Sequence, residues 1–269
     1  MLGFTEIDVR QIAKTLIYNR VSRKFYDTFD KLMRTHISPD IHNWIIDVHN
    51  NQYTFDPELI GIVHIPKTGG TYLRYILEKS NYSANFIGMG KHLPISIKCP
   101  PERFKYVVFL RNPINRCFSY FQMCQRNSNI PWHKYSKDMP DFFKNCREVR
   151  NMACRYISGR MKEVDSSSFA KAVENLNKMY FVGLFEDFES SALVFLDKIN
   201  LDNSNNAAPP CQTKIKVPHL NQYDYKCNDI MPESTYHLIA EYNKYDILLY
   251  NYCIKEYFPE KSNFLIKNN

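Results

Sequence analysis

The chain has 269 residues, of which 44% are hydrophobic and 14% aromatic, and 35 Lys and Arg against 28 Asp and Glu give it a formal net charge of +7. This composition excludes a disordered chain, while 8 Gly and 14 Pro exclude a collagen-like or linker-dominated one. The basic residues form no run of the kind that nucleic-acid binders carry, so we expect no nucleic-acid partner. A modest positive surplus instead favours a pocket for a small, highly charged anion.

Eight cysteines are spread along the chain, none at the two-residue spacing of a zinc or redox motif, so we expect packed, reduced thiols and no metal. The segment Met1 to Leu16 carries Glu6, Asp8 and Arg10, where a signal peptide needs a continuous apolar stretch. The longest apolar run, Tyr106 to Leu110, is far shorter than a membrane span. These features predict a soluble, cytoplasmic protein without a membrane partner and leave its oligomeric state open.

The predicted elements alternate between strand and helix. Residues 1–56 are predicted to form a helical extension packed on a main domain over residues 57–269, which begins with a buried strand. Strands are predicted over Leu59–Ile65, Phe104–Leu110 and Met179–Phe185, and the helices after them over Thr71–Ser80, Ile114–Arg126 and Glu189–Ile199. A loop over Asp202–Tyr223 and a last helix over Glu233–Phe258 follow. This order predicts an α/β fold of three layers, with a central parallel sheet flanked by helices.

The turn after the first strand carries the first motif, GIVHIPKTGGT over residues 61–71. It is close to the phosphate-binding pattern G-x-x-x-x-G-K-[ST], but Pro66 stands at the second glycine and two glycines follow the lysine instead. Gly69 and Gly70 allow a tight turn with exposed N–H groups, the following helix presents its positive end, and Lys67 adds a full charge. The turn is therefore predicted to hold a phosphate or sulfate.

The second predicted strand ends in Arg111, followed by Asn112 and Pro113, which suit the start of a helix that contains Ser119. A nucleotide kinase ordinarily has an Asp at such a strand end to hold magnesium, so the arginine argues against metal-assisted phosphoryl transfer. Because ligands of parallel sheets bind at the carboxyl ends of strands, Arg111 and Ser119 are predicted to form a second anion site beside the first. The ligand would then carry anions at two ends.

The sequences HIPKTGGTYLR (64–74) and VVFLRNPINRCFSYF (107–121) resemble the two donor-binding motifs of sulfotransferases that use 3'-phosphoadenosine 5'-phosphosulfate. The resemblance is closest to the carbohydrate-type family, which includes the heparan and chondroitin sulfotransferases. It continues more weakly in GKH (90–92), NMACRYISG (151–159), FVGLFEDF (181–188) and YNKYDILLYNY in the last predicted helix. The resemblance implies a fold related to the P-loop kinases.

The same resemblance implies the roles of individual residues. The 5'-phosphosulfate end of the donor would be held by Lys67, Thr68, Gly69, Gly70, Thr71 and Tyr72. The 3'-phosphate would be held by Arg111 and Ser119, and adenosine 3',5'-bisphosphate would be the product. Arg74 and Arg116 would either add charge to the same pocket or pair with surface carboxylates.

In-line transfer of a sulfuryl group needs a base for the acceptor and a cation for the departing phosphate. His92 falls where the carbohydrate-type family places its catalytic histidine, and Lys67 would stabilise the charge that develops on the bridging oxygen. Glu78 and Glu102 are weaker candidates for the base. His64 is predicted to lie inside the buried strand as a core residue.

The acceptor is left open as a sugar or a small metabolite, such as a natural-product alcohol or an alkaloid amine. Asn151 and Arg155 would either face it or pack under the sheet, and Lys214 and Lys216 would either close over the 3'-phosphate or lie on a surface loop. Two other functions remain as alternatives: an ATP-dependent phosphotransferase and a non-catalytic module that binds a polyanion.

Overall fold

The computed structural model describes residues 60–79, 86–87, 94–203 and 231–266. The predicted helical extension over residues 1–56 and most of the loop predicted over Asp202–Tyr223 lie outside these residues. Side chains are described at all of these positions except residues 78, 79, 86, 87 and 201–203.

The described strands form one parallel sheet. They are β1 (Ile60–Val63), β2 (Phe86–Ile87), β3 (Tyr106–Leu110) and β4 (Phe181–Leu184), in the spatial order β2-β1-β3-β4. The three predicted strands and their parallel pairing are confirmed, and each is shorter than predicted at one end or both. The sequence analysis missed β2, because two residues are too few to show an apolar pattern.

The helices account for most of the remaining described residues. They are α1 (Gly70–Lys79), α2 (Pro113–Arg126), α3 (Met139–Asn145), α4 (Met152–Ser158), α5 (Ser166–Leu176), α6 (Phe188–Asn203), α7 (Glu233–Tyr242) and α8 (Lys244–Tyr257). Short 3₁₀ turns cover Pro131–Tyr135, Arg147–Val149, Phe185–Asp187 and Pro259–Phe264.

The prediction of one helix over Glu233–Phe258 was wrong, because the helix is interrupted at Asn243, between α7 and α8. The Asn243 side chain explains the break. Its Nδ2 donates to the Ile239 carbonyl at 3.0 Å, and its Oδ1 accepts the Asn151 N–H at 3.0 Å. An asparagine that bonds to the backbone in this way favours a helix end over a helix interior.

Helices cover both faces of the sheet, as predicted. On one face, Ile62 and Phe109 pack with apolar residues of α1 and α6. On the other face, Val63, Val108 and Leu184 pack in a larger cluster with residues of α2, α4, α5 and α8. This alternation follows from the period of two in a β-strand, which sends successive side chains to opposite faces. The domain is therefore α/β with three layers.

Cys99, Cys117, Cys124, Cys146, Cys154 and Cys253 are the six cysteines in the described ranges, and all are buried free thiols. Burial raises the pKa of the Cys117 thiol to about 11, and burial together with the Glu148 carboxylate raises that of Cys124 to about 12. The thiols of Cys117 and Cys124 are therefore protonated and poor nucleophiles at neutral pH. Among the described residues, no helix combines the length and the apolar character needed to cross a membrane.

Candidate anion-binding site

The carboxyl ends of β1 and β3 lie side by side in the middle of the sheet. The chain continues from β1 to β2 at one edge of the sheet and from β3 to β4 at the other edge, so the two connections diverge. Ligands of open α/β sheets bind at such a reversal of strand order. The two turns that the sequence analysis singled out both begin here.

The first turn, residues 65–70, is folded tightly against the end of β1. Thr68 is only 3% exposed, and its hydroxyl donates to the Ile65 carbonyl at 2.9 Å. Two residues have left-handed backbone angles, with φ of 71° at Lys67 and 90° at Gly69. Helix α1 starts at Gly70, so its first N–H groups, which have no intrahelical acceptor, belong to this turn.

The two glycines of the first turn are required by their neighbours. A Cβ on Gly69 would lie 2.9 Å from the rings of Phe185 and Phe188, and one on Gly70 would lie 1.9 Å from Nε2 of His64. The prediction that His64 lies inside the strand was wrong, since β1 ends at Val63 and the half-buried His64 ring lies against the turn. The space needed by these rings leaves room only for glycine.

Positive charges converge on the first turn. Burial lowers the pKa of the Lys67 ammonium, and the charges of Arg111 and Arg126 lower it further. Nη1 of Arg111 donates to the Lys67 backbone carbonyl at 3.1 Å, so the end of β3 is in direct contact with the turn after β1. A bound anion would relieve the mutual repulsion of these cations, which makes the turn a suitable anion site.

The second turn starts helix α2. The Asn112 side chain accepts the N–H groups of Ile114 at 3.0 Å and Asn115 at 3.2 Å, and Pro113 is the first helical residue. The Arg111 guanidinium lies over the Phe185 ring, with its Cζ 4.2 Å from the ring centroid. Oε1 of Glu186, in the turn after β4, accepts the Asn112 N–H at 2.7 Å, so the backbone of Asn112 and the side chain of Arg111 are both held from the end of a neighbouring strand.

The remaining predicted donor-binding residues lie on the helices that follow these turns. Ser119 is half-buried on α2, about 9 Å along the helix axis from Pro113. Thr71 is exposed in the first turn of α1, close to the first N–H groups of the helix. The half-buried Tyr72 packs on Phe188, with 5.6 Å between the ring centroids.

Arg116 has a different role from either one that the sequence analysis expected. It is 1% exposed, its Nη2 donates to the Val149 carbonyl at 2.6 Å, and the same nitrogen lies 3.7 Å from Oδ2 of Asp246. Its partner is therefore a buried carboxylate on α8 and not a surface one. The guanidinium joins α2 to the 3₁₀ turn before α4 and to α8, which is a structural role.

Asn151 and Arg155 are held by backbone groups. Oδ1 of Asn151 accepts the N–H groups of Tyr245 at 3.0 Å and Asp246 at 3.1 Å, at the start of α8. Nη2 of Arg155, a residue that is 8% exposed, donates to the Glu148 carbonyl. These contacts favour packing between helices over contact with an acceptor.

The other candidates are either on the surface or outside the described residues. Glu102 pairs with Lys178 at 2.5 Å, and this hydrogen bond lowers the pKa of Glu102, which makes it a poor proton acceptor at neutral pH. Arg74 is exposed on α1. The structure does not describe His92, the lysines at 214 and 216, or the side chain of Glu78.

Sequence reasoning missed the turn after β4. We call the turns after β1 and β3 the two anion turns. Phe185 contacts both of them, Phe188 contacts the first and Glu186 the second, but the sequence analysis assigned these residues no role. A signal was present, because these residues follow the carboxyl end of a predicted parallel strand, the position that had singled out the other two turns. Arg126 carried no such signal, since it lies at the far end of a helix.

No model of a known protein family matches the chain, and no curated protein sequence matches it either. The function therefore has to be argued from the two turns and their contacts.

Proposed function

We propose that this protein is a sulfotransferase that uses 3'-phosphoadenosine 5'-phosphosulfate as donor and a hydroxyl or amine of a sugar or small metabolite as acceptor. The observation that carries the proposal is the 3.1 Å hydrogen bond from Arg111 to the Lys67 carbonyl, which joins the two anion turns at the reversal of strand order. A ligand with two anionic groups on one nucleoside fits two adjoining cationic turns.

The described residues include a candidate partner for each anionic end of such a donor. Lys67 and the N–H groups at the start of α1 would hold the 5' end, where the helix end favours negative charge. Arg111 and Ser119 would hold the 3'-phosphate, the group that distinguishes this donor from ATP. The proposal includes the sulfotransferase fold related to the P-loop kinases, which the α/β architecture supports.

In the proposed reaction, the bond from sulfur to the bridging phosphate oxygen breaks while a bond from sulfur to the acceptor oxygen or nitrogen forms. The acceptor proton passes to a base, for which we propose His92, and adenosine 3',5'-bisphosphate leaves. Lys67 stabilises the charge that develops on the leaving oxygen. Its lowered pKa suits this task, because a less firmly held proton is shared more readily with the departing phosphate.

Nucleotide selectivity is the first test. In calorimetric titrations, adenosine 3',5'-bisphosphate should bind at least about tenfold more tightly than ADP, a difference of about 1.4 kcal/mol. Equal affinities would overturn the proposal. Tighter binding of ADP would favour the ATP-dependent phosphotransferase instead.

Group transfer is the second test. Incubation with the sulfate donor and a panel of sugars, alcohols and amines should yield a product heavier by one sulfuryl group in mass spectrometry. His92→Ala should abolish this product and retain affinity for the bisphosphate. The matched control is His237→Ala, since His237 is an exposed histidine on α7 far along the chain from either turn. Unchanged turnover in His92→Ala would remove that residue from the mechanism.

A further inference from the structure

The turn after β4, residues 185–188, contacts both anion turns at once. The rings of Phe185 and Phe188 lie against Gly69 of the first turn, and the Phe185 ring lies under the Arg111 guanidinium at 4.2 Å. Oε1 of Glu186 accepts the Asn112 N–H at 2.7 Å. The turn after β4 therefore packs against both turns of the candidate anion site.

Glu186 stands out within this turn because its carboxyl group is only partly satisfied. Oε1 has the Asn112 N–H, while Oε2 is buried near the Tyr250 hydroxyl, and neither Oε2 nor that hydroxyl has a well-aligned hydrogen bond among the described residues. Burial raises the pKa of Glu186, while the Asn112 N–H, the Arg111 charge and the Tyr250 hydroxyl oppose that rise. Tyr250 and Cys253 face the carboxylate from α8.

A buried carboxylate costs free energy unless its environment stabilises the charge. A neutral glutamine could accept the Asn112 N–H equally well, so the hydrogen bond alone does not account for an acid here. The nearby positive partner is Arg111, and the proposed 3'-phosphate would bind to that same guanidinium. The carboxylate and the ligand phosphate would then act on one cation from two sides.

We propose that Glu186 is a positioning residue of the anion site, which holds the start of α2 through Asn112, orients Arg111 by its charge, and takes up a proton when an anion binds to Arg111. This inference rests on the proposed function, since it assigns Arg111 to a ligand phosphate. The sign follows from charge: a bound phosphate is a second negative group near the carboxyl and stabilises its protonated form. Anion binding should therefore take up a proton and tighten as the pH falls.

The test compares wild type with Glu186→Gln by calorimetric titration with adenosine 3',5'-bisphosphate, between about pH 5 and pH 8, in buffers of different ionisation enthalpy. Wild type should take up more protons on binding than Glu186→Gln, and its affinity should fall more steeply as the pH rises. The ligand phosphates also titrate in this range, but they contribute alike to both proteins, so the difference reports Glu186.

The matched control is Asp187→Asn, which neutralises the adjacent carboxylate of the same turn. Asp187 pairs with Lys261 at 2.9 Å and Ser190 at 2.8 Å, so its neutralisation should leave proton uptake on binding unchanged. Glu186→Ala, which also removes the acceptor for Asn112, should weaken bisphosphate binding by about tenfold, the effect of about one lost hydrogen bond. The Gln variant keeps the experiment decisive if the Ala variant does not fold.

Equal proton uptake by wild type and Glu186→Gln would overturn the inference, because a purely structural acceptor for Asn112 is not affected by the loss of charge. In that case the proposed function would stand, since wild type would still bind the bisphosphate. Failure of wild type itself to bind the bisphosphate would overturn both.

Discussion

Arg111 and Arg116 are close in sequence, yet they occupy opposite kinds of environment. Arg116 is buried between helices, with the Val149 carbonyl and the Asp246 carboxylate as partners. Arg111 is half-buried at the end of β3, where it lies on the Phe185 ring and close to the Lys67 ammonium. Arg116 is paired directly with a buried carboxylate, whereas Arg111 lies close to another cation and has the Glu186 carboxyl as its nearby acid.

This difference separates a structural arginine from the one that we propose to bind the donor. A buried ion pair such as Arg116 with Asp246 is complete without a ligand, and Asp246 also accepts the N–H groups of Ala153 at 2.9 Å and Cys154 at 2.8 Å. Cations that repel one another are tolerated where a ligand anion can compensate them. The charges around each side chain therefore distinguish the two arginines, which their shared residue type cannot do.

The backbone shows the same contrast. Among the described non-glycine residues, Lys67 and Asn151 have a positive φ. Asparagine adopts this conformation easily, and Asn151 uses its side chain to accept two N–H groups of α8. Lysine has no such advantage, so strain at Lys67 marks the candidate site.

The largest expected effect is loss of stability on breaking the buried ion pair. Arg116→Ala leaves the Asp246 carboxylate buried without its cation, and the free energy of unfolding should fall by about 3–5 kcal/mol. Urea denaturation followed by circular dichroism measures it. The control Arg103→Ala removes an exposed arginine and should change stability by less than about 0.5 kcal/mol. A loss no larger than that of the control would contradict the structural role of Arg116.

A smaller effect, on binding instead of stability, is expected for Arg111→Ala. Affinity for adenosine 3',5'-bisphosphate should fall roughly 10- to 100-fold, because hydrogen bonds to charged groups contribute about 1.5–3 kcal/mol. The free energy of unfolding should change by about 1 kcal/mol or less, since the side chain is only half-buried. Arg103→Ala again serves as the control, and equal bisphosphate affinity in the two variants would argue against Arg111 as a ligand partner.

Gly69→Ala tests the tight first turn. A left-handed residue with a Cβ costs about 1–2 kcal/mol, and here the Cβ would also press on Phe185 and Phe188. In scanning calorimetry, Tm should fall by several degrees, at about 2–4 °C for each kcal/mol in a chain of this size. A Tm equal to that of wild type would show that the turn adopts another conformation.

The smallest effect is a difference between two variants at Lys67. Lys67→Gly should be about 1 kcal/mol more stable than Lys67→Ala, because glycine accepts a φ of 71° without strain. Both variants lack the ammonium, so both should lose bisphosphate affinity to the same extent. Asn151→Gly is the comparison: it should be destabilised, since it loses two side-chain hydrogen bonds. Equal stabilities of the two Lys67 variants would show that the backbone there is not strained.

Much of the sheet could be predicted from the sequence. Continuous apolar runs such as Tyr106 to Leu110 are typical of strands buried on both faces, and their order along the chain predicts parallel pairing. The helices α3, α4 and α5 were not predicted individually, because they lie in a long connection without a strand signal, and α3 and α4 have only 7 residues each. The break at Asn243 also escaped prediction, since it depends on a hydrogen bond with Asn151.

The candidate site was predictable to a similar degree. The glycines and cations of the two turns are consecutive in sequence, so local pattern was enough to single out Lys67, Gly69 and Arg111. The roles of Arg116 and Asn151 were not predictable, because their partners lie on α8, more than ninety residues further along the chain for Asn151. Phe185 and Glu186 act on the site through contacts made by the fold, and their signal in the sequence was their position after a predicted parallel strand.

The sequence by itself determined the parallel strands, the two glycine and proline turns at their ends, and the presence of cations there. These features follow from backbone geometry and apolar periodicity, which act over a few neighbouring residues. Only the tertiary structure decided which arginine is buried in an ion pair between helices and which one lies among other cations at the end of β3. The physical reason is that burial and Coulomb interactions depend on distances in space, and these are set by contacts between residues far apart in the chain.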